Sequence, residues 1–356
     1  MDTKHEQLSS GAEKEVMQVP EVEYQRREGI ALHHILEKIS TEGDDRYTEV
    51  IESYQSISAD FDAESLGWIS LIYDNPEITD QIISDIQKHK GAESVTVAQI
   101  KYYLNTLGKL EELLTETGEY ADYLGDPDLD PENRTELEGK LAKTVDFFQP
   151  QVGTTSASRV VVIPTSRELI GESGWGYATG DTAYVISPID KTDNQTHEFL
   201  HAVVNPIVEK MDISGDEERQ VVELASSRLV EDEGYGEHAQ SLLGETLIRV
   251  YCRRILGEVD GYFSLGEFQE VVDRLSDERF AEISTDEKMK KRMQGLDVAT
   301  LDDFKAKARE YYDLYEKNDL AQKIIILYKE YQTSGTEEST VNFEDYFLAN
   351  WHKIID

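Results

Sequence analysis

A predominantly helical α+β fold, with a small mixed sheet packed on one central helix, is predicted by three observations. Two short β-branched runs, Arg159-Val160-Val161-Val162-Ile163-Pro164 and Thr182-Ala183-Tyr184-Val185-Ile186-Ser187-Pro188, are bounded by turn formers, as buried strands are. The glycine-rich stretch Gly171 to Gly180 connects them, and an amphipathic helix pattern follows at once. On both sides of this core the apolar residues recur at helical spacing.

In chain order, residues 1–20 are polar and lack a repeating apolar pattern, so they read as a disordered tail. Residues 21–150 read as an N-terminal helical region, with amphipathic stretches at Gly29 to Ile39, Ile82 to His89, Val97 to Leu114 and Glu136 to Phe148. Turns such as Gly125-Asp126-Pro127-Asp128 separate them. The strand-containing core occupies 151–260. In the C-terminal helical region, 261–356, helices are expected over Leu265 to Leu275, Leu301 to Asn318 and Leu320 to Tyr331, with tyrosines that suit core packing.

Composition sets outer limits on function. The 356 residues carry 73 acidic against 35 basic side chains, a formal charge of −38, so nucleic acid and anionic membranes are not expected partners. A single cysteine, Cys252, excludes an intramolecular disulfide. No segment is long and apolar enough to span a bilayer, and Met1 to Glu15 is charged rather than a signal peptide. The chain therefore reads as cytoplasmic, or as secreted if a leader has been removed. Neither Ser187 nor Cys252 sits in a nucleophile motif, and there is no phosphate-binding loop or internal repeat.

The chemistry concentrates in His197-Glu198-Phe199-Leu200-His201, which spells H-E-x-x-H. At about 100° per residue, His197 and His201 stand one above the other on a helix, able to converge on one metal ion. Glu198 falls beside them, placed for a water on that metal. Asn194, Glu198, His201 and Asn205 form a polar arc, while Phe199, Leu200, Ala202, Val203 and Val204 fill the remainder of the wheel. Thr192-Asp193-Asn194-Gln195 reads as a capping box, and Pro206 should end or kink the helix. The bland alternative is a core helix with two satisfied histidines.

A strand, a glycine-rich connection, a second strand and then a metal helix is the order in which zinc peptidases of the zincin type build their substrate wall. In them the strand just before the helix is an edge to which extended peptides pair. Gly174-Trp175-Gly176-Tyr177 would then be part of the rim or an ordinary aromatic turn. The run His197 to Pro206, H-E-F-L-H-A-V-V-N-P, resembles an uncharacterised bacterial family of zinc-metallopeptidase sequences with the pattern H-E-F-x-H-x-x-x-N-P. The likeness covers about 150–260. That family also carries a later helix with a glutamate, a hydrophobic pair and an arginine, similar here to Glu245-Thr246-Leu247-Ile248-Arg249. The resemblance implies a gluzincin-like site, one zinc ion per chain held by His197, His201 and Glu245, with Glu198 as general base and acid.

The residues themselves leave Glu223 as a competitor. Its helix has Val221, Val222, Ala225 and Leu229 on an arc pointing away from it, which reads as a solvated carboxylate. Glu245 stands at the margin of a face made by Ile248, Tyr251, Cys252 and Ile255, or else pairs with Arg249 at i,i+4 on the surface. Such a site would hydrolyse a peptide bond of a peptide or protein substrate, with Tyr235, His238 or Arg249 supporting the transition state and Asn194 or Asn205 orienting the histidines. A zinc-dependent hydrolase of a non-peptide amide, and a non-enzymatic interaction protein that keeps the motif, are the alternatives. Oligomeric state is not readable.

Overall fold

The structure, a computed structural model, describes residues 18–90, 96–118, 131–149, 157–165, 174–189, 191–225, 230, 238–254, 256, 272–285, 293, 298–315, 319–334 and 342–355. Most of the expected N-terminal tail, the turn at 125–128 and most of the expected helix at 265–275 lie outside these residues. The chain divides into two compact units, Met1–Ala202 and Val203–Asp356.

In the first unit a strand β1 (Glu21–Tyr24) leads into helices α1 (Glu28–Glu42), α2 (Thr48–Ser58), α3 (Ala63–Asp74), α4 (Thr79–Lys90), α5 (Val97–Thr117) and α6 (Pro131–Phe148). Strands β2 (Arg159–Pro164), β3 (Trp175–Thr179) and β4 (Thr182–Ser187) follow, and then helix α7 (Thr192–Val208), whose residues from Val203 onward belong to the second unit. The four strands form one mixed sheet in the order β1-β2-β4-β3. β1, β2 and β4 are parallel, and β3 runs antiparallel to β4. Parallel neighbours need a long crossover. The whole run from α1 to α6 serves as the crossover from β1 to β2.

Side-chain alternation along each strand divides the sheet into two faces. Val161 and Ile163 of β2, Tyr184 and Ile186 of β4 and Tyr177 of β3 join one core with Ile30, Leu36, Leu66, Leu107 and Leu110 of the helices. Val162, Val185 and Gly176 are register partners in one row with Tyr24, on the opposite face. Tyr24 reaches from this face to α7, donating its hydroxyl to Gln195 Oε1 at 3.2 Å. The fold is thus α+β, mostly helical with a small mixed sheet.

Two strands depart from expectation. β1 is short and carries two glutamates, so no apolar run announces it; Glu23 is instead held at the sheet edge by Arg159 Nε at 2.9 Å. β3 lies inside the stretch that reads as a glycine-rich connection, because its glycines mask a true alternation of large aromatic and small residues. The sequence leaves open which strand is the edge: β4, just before α7, is an interior strand buried along its length, and β3 is the edge.

The second unit contains α8 (Gly215–Leu224), α9 (Ala239–Arg254), α10 (Asp277–Thr285), α11 (Leu301–Tyr315), α12 (Asp319–Ser334) and α13 (Phe343–Asn350). α9 packs on α12, where Tyr328 donates its hydroxyl to the Leu247 carbonyl at 2.9 Å. Tyr328, Tyr331, Phe343 and Phe347 form an aromatic cluster, the core role expected of such tyrosines. No helix among the described residues is long and apolar enough to cross a membrane.

Helix α1 can approach α3 closely only because Gly29 has no side chain. A Cβ there would overlap the Ser70 carbonyl and come within 2.6 Å of Tyr73 Cβ. Gly139 in α6 has open space. Gly29→Ala is expected to destabilise the chain by at least about 1–3 kcal/mol, whereas Gly139→Ala should be neutral or stabilising by up to about 1 kcal/mol. Urea unfolding of the two variants checks this; equal midpoints would refute the close helix contact.

Candidate metal centre

Helix α7 has one buried arc and one polar arc, as its sequence requires. Phe199, Leu200, Val203, Val204 and Ile207 are buried, while His197, Glu198 and His201 are half-buried and Asn205 is exposed. The expected capping box is not how the helix is anchored. The Thr192 hydroxyl donates to Glu136 Oε1 of α6 at 2.8 Å, and the Gln195 amide donates to the carbonyls of Pro188 and Ile189. Lys140 of α6 pairs with Asp193 in the first turn, where a carboxylate also suits the helix dipole. The helix continues through Pro206 to Val208. A missing N–H and a ring clash would be expected to stop it, but Val204, Ile207 and Val208 are buried and tertiary packing carries the last turn.

Against the sheet, α7 rests on the edge strand. A Cβ at Gly176 would lie 3.0 Å from the Glu198 carbonyl oxygen and 3.3 Å from its Cβ, and one at Gly174 would lie 3.5 Å from Glu198 Cγ. These glycines let the helix backbone touch β3, and they place the Glu198 side chain beside that strand. In the sequence the same glycines fit either part of a cleft rim or an aromatic turn. The missed signal was their two-residue spacing between Trp175 and Tyr177, which puts both glycines on one face.

Among the described residues, His197, His201 and Glu245 each offer a ligand atom, and these atoms lie within 4.8 Å of one another. The two imidazoles have centroids 5.1 Å apart with planes at 75°. Glu245 comes from α9, whose neighbouring Gly244 meets α7 at Asn205 Oδ1 and Val208 Cγ2. His201 is one turn back along the same unbroken helix.

Glu245 is not at the margin of its helix: Leu242 through Ile248 are all buried, and its own side chain is 3 % exposed. Arg249 does donate its Nε to Glu245 Oε1, at 2.5 Å, but this pair is largely enclosed rather than a surface contact. Arg249 is thereby committed to Glu245. Glu223 in α8 is exposed, as its helix pattern indicated. His238 is exposed at the start of α9, Asn194 is half-buried in the first turn of α7, and Tyr235 lies outside the described residues.

Two imidazoles and one carboxylate form a donor set that could hold a divalent metal ion. Glu245 is a buried carboxylate whose Oε1 is already paired with Arg249. No family model, curated protein or solved structure matches this chain. The residues and their geometry therefore carry the functional argument.

Gly176→Ala is expected to lower stability by about 1–3 kcal/mol, because neither the Glu198 carbonyl nor the strand backbone can yield cheaply. Thermal denaturation monitored by circular dichroism measures this. An unchanged melting temperature would show that α7 does not rest on β3 as described.

Proposed function

We propose that this chain is a zinc-dependent peptidase with a zincin-like core of the gluzincin kind. The single observation that carries the reading is the gathering of His197, His201 and Glu245, with Glu198 beside the histidines on the same helix. His197 and His201 would hold the ion through ring nitrogens and Glu245 through its carboxylate. When bound, zinc supplies Lewis acidity, polarising a carbonyl group and making water acidic near neutral pH.

The rest is the work of this chain's own side chains. Glu198, half-buried and lying along β3, takes the proton of the attacking water as general base and returns it to the departing amine as general acid. Arg249 holds the Glu245 carboxylate in place through its hydrogen bond to Oε1. Helix α6 fixes the start of the metal helix through Glu136 and Lys140.

The edge position of β3 favours a peptide over a small amide. Among the described residues no strand pairs with its outer side, so its free backbone groups suit an extended chain laid antiparallel or parallel beside Glu198. The strongly acidic composition adds preference for a substrate without excess negative charge.

Metal content by mass spectrometry and hydrolysis of a mixed peptide library test the reading together. Wild-type protein should bind about one zinc ion per chain at this site. Glu198→Gln should keep the metal while losing about 10²- to 10⁴-fold in rate. His197→Ala and Glu245→Ala should lose both metal and activity. Wild-type protein that takes up no zinc after reconstitution, or a Glu198→Gln variant of undiminished rate, would sink the proposal.

A further inference from the structure

A second group of metal-binding side chains lies on α1, remote in sequence from the H-E-x-x-H helix. His33, His34 and Glu37 each offer a ligand atom, and these atoms also lie within 4.8 Å of one another. His33 Nε2 is 3.5 Å and His34 Nδ1 3.1 Å from the same oxygen, Glu37 Oε2. Ligands about 2.0–2.1 Å from a tetrahedral zinc ion stand about 3.3–3.5 Å from one another. The 3.5 Å spacing falls at the upper end of this range, and the 3.1 Å spacing, also a hydrogen-bond length, is slightly short of it.

The surroundings also fit ligation. His33 and His34 are 2 % and 5 % exposed. The Tyr103 hydroxyl of α5 lies 2.7 Å from His33 Nδ1, which orients the ring and turns Nε2 toward Glu37. Tyr54 of α2 hydrogen-bonds Glu37.

The His34 ring is tied to Glu37 through Nδ1, while its buried Nε2 has no hydrogen-bond partner. The ring lies edge-on to Trp175 of β3, with centroids 6.4 Å apart, so the group sits where α1, α2, α5 and the edge strand meet.

We propose that His33, His34 and Glu37 form a second, structural site for a divalent transition-metal ion, which ties the helical layer together. Its two histidines are too deeply buried to meet a substrate, and only Glu37 reaches solvent. The proposal does not depend on the peptidase reading.

The experiment uses the full-length His197→Ala/His201→Ala chain, which lacks the ligands of the first site, titrated with cobalt(II). Absorption of the bound ion gives stoichiometry, and thermal melting gives stabilisation. One cobalt per chain and a melting temperature that rises with cobalt concentration are expected. Adding Glu37→Gln or His34→Ala should abolish both effects, and Tyr103→Phe should weaken binding about 10- to 100-fold. A folded double variant that binds no cobalt overturns the proposal. So does cobalt whose affinity is unchanged by Glu37→Gln and His34→Ala in chains that circular dichroism shows to be folded. If the double variant fails to fold, the wild-type chain decides: the number of ions per chain should fall by one in Glu37→Gln, and an undiminished count refutes the site.

Discussion

The absence of a side chain at Gly176 is the constraint on which the arrangement of the first unit turns. A Cβ there would lie 3.0 Å from the Glu198 carbonyl oxygen, so a larger residue would require α7 or β3 to give way. That close approach fixes the helix's rotation. The arc holding Phe199, Leu200, Val203 and Val204 is committed to the interior, and His197, Glu198 and His201 are left on a face that is neither sealed nor fully solvated. Such an intermediate environment is what a reacting group needs: enough burial to be held in place and enough access to meet a ligand.

Much of this was legible in the sequence because the relevant signals are local. The polar and apolar arcs of α7 follow from residues within three turns, and β2 and β4 announce themselves as continuous β-branched runs, the pattern of strands covered on both faces. What the sequence hid depends on partners far away in the chain. β1 is only four residues long and exists because parallel pairing with β2 supplies its hydrogen bonds across the whole helical crossover. β3 exists because β4 offers a register in which aromatic residues face one core and glycines face α7. Sequence periodicity cannot distinguish a glycine that makes a turn from one that makes room.

Glu245 illustrates the same limit in an ionisable group. Its position beside Ile248 and Tyr251 could be read from the helical wheel, but its depth could not, since that depth arises from packing of α9 on α12 and on the last turns of α7. Arg249 donates to one carboxylate oxygen, and an anion at 3 % exposure is better tolerated with a fixed donor on the same helix than without one.

The two histidine groups differ less in donor type than in environment. Each offers two imidazoles and a carboxylate. On α7 the histidines are half-buried and the carboxylate is deep; on α1 the histidines are deep and the carboxylate reaches outward. The α1 rings lie edge-on to Tyr103 and Trp175, with centroids 6.3 and 6.4 Å away. The catalytic role proposed for the first group and the structural role proposed for the second rest on this difference. A reacting site needs ligands that solvent can reach, which half-buried imidazoles provide and imidazoles at 2 % and 5 % exposure do not.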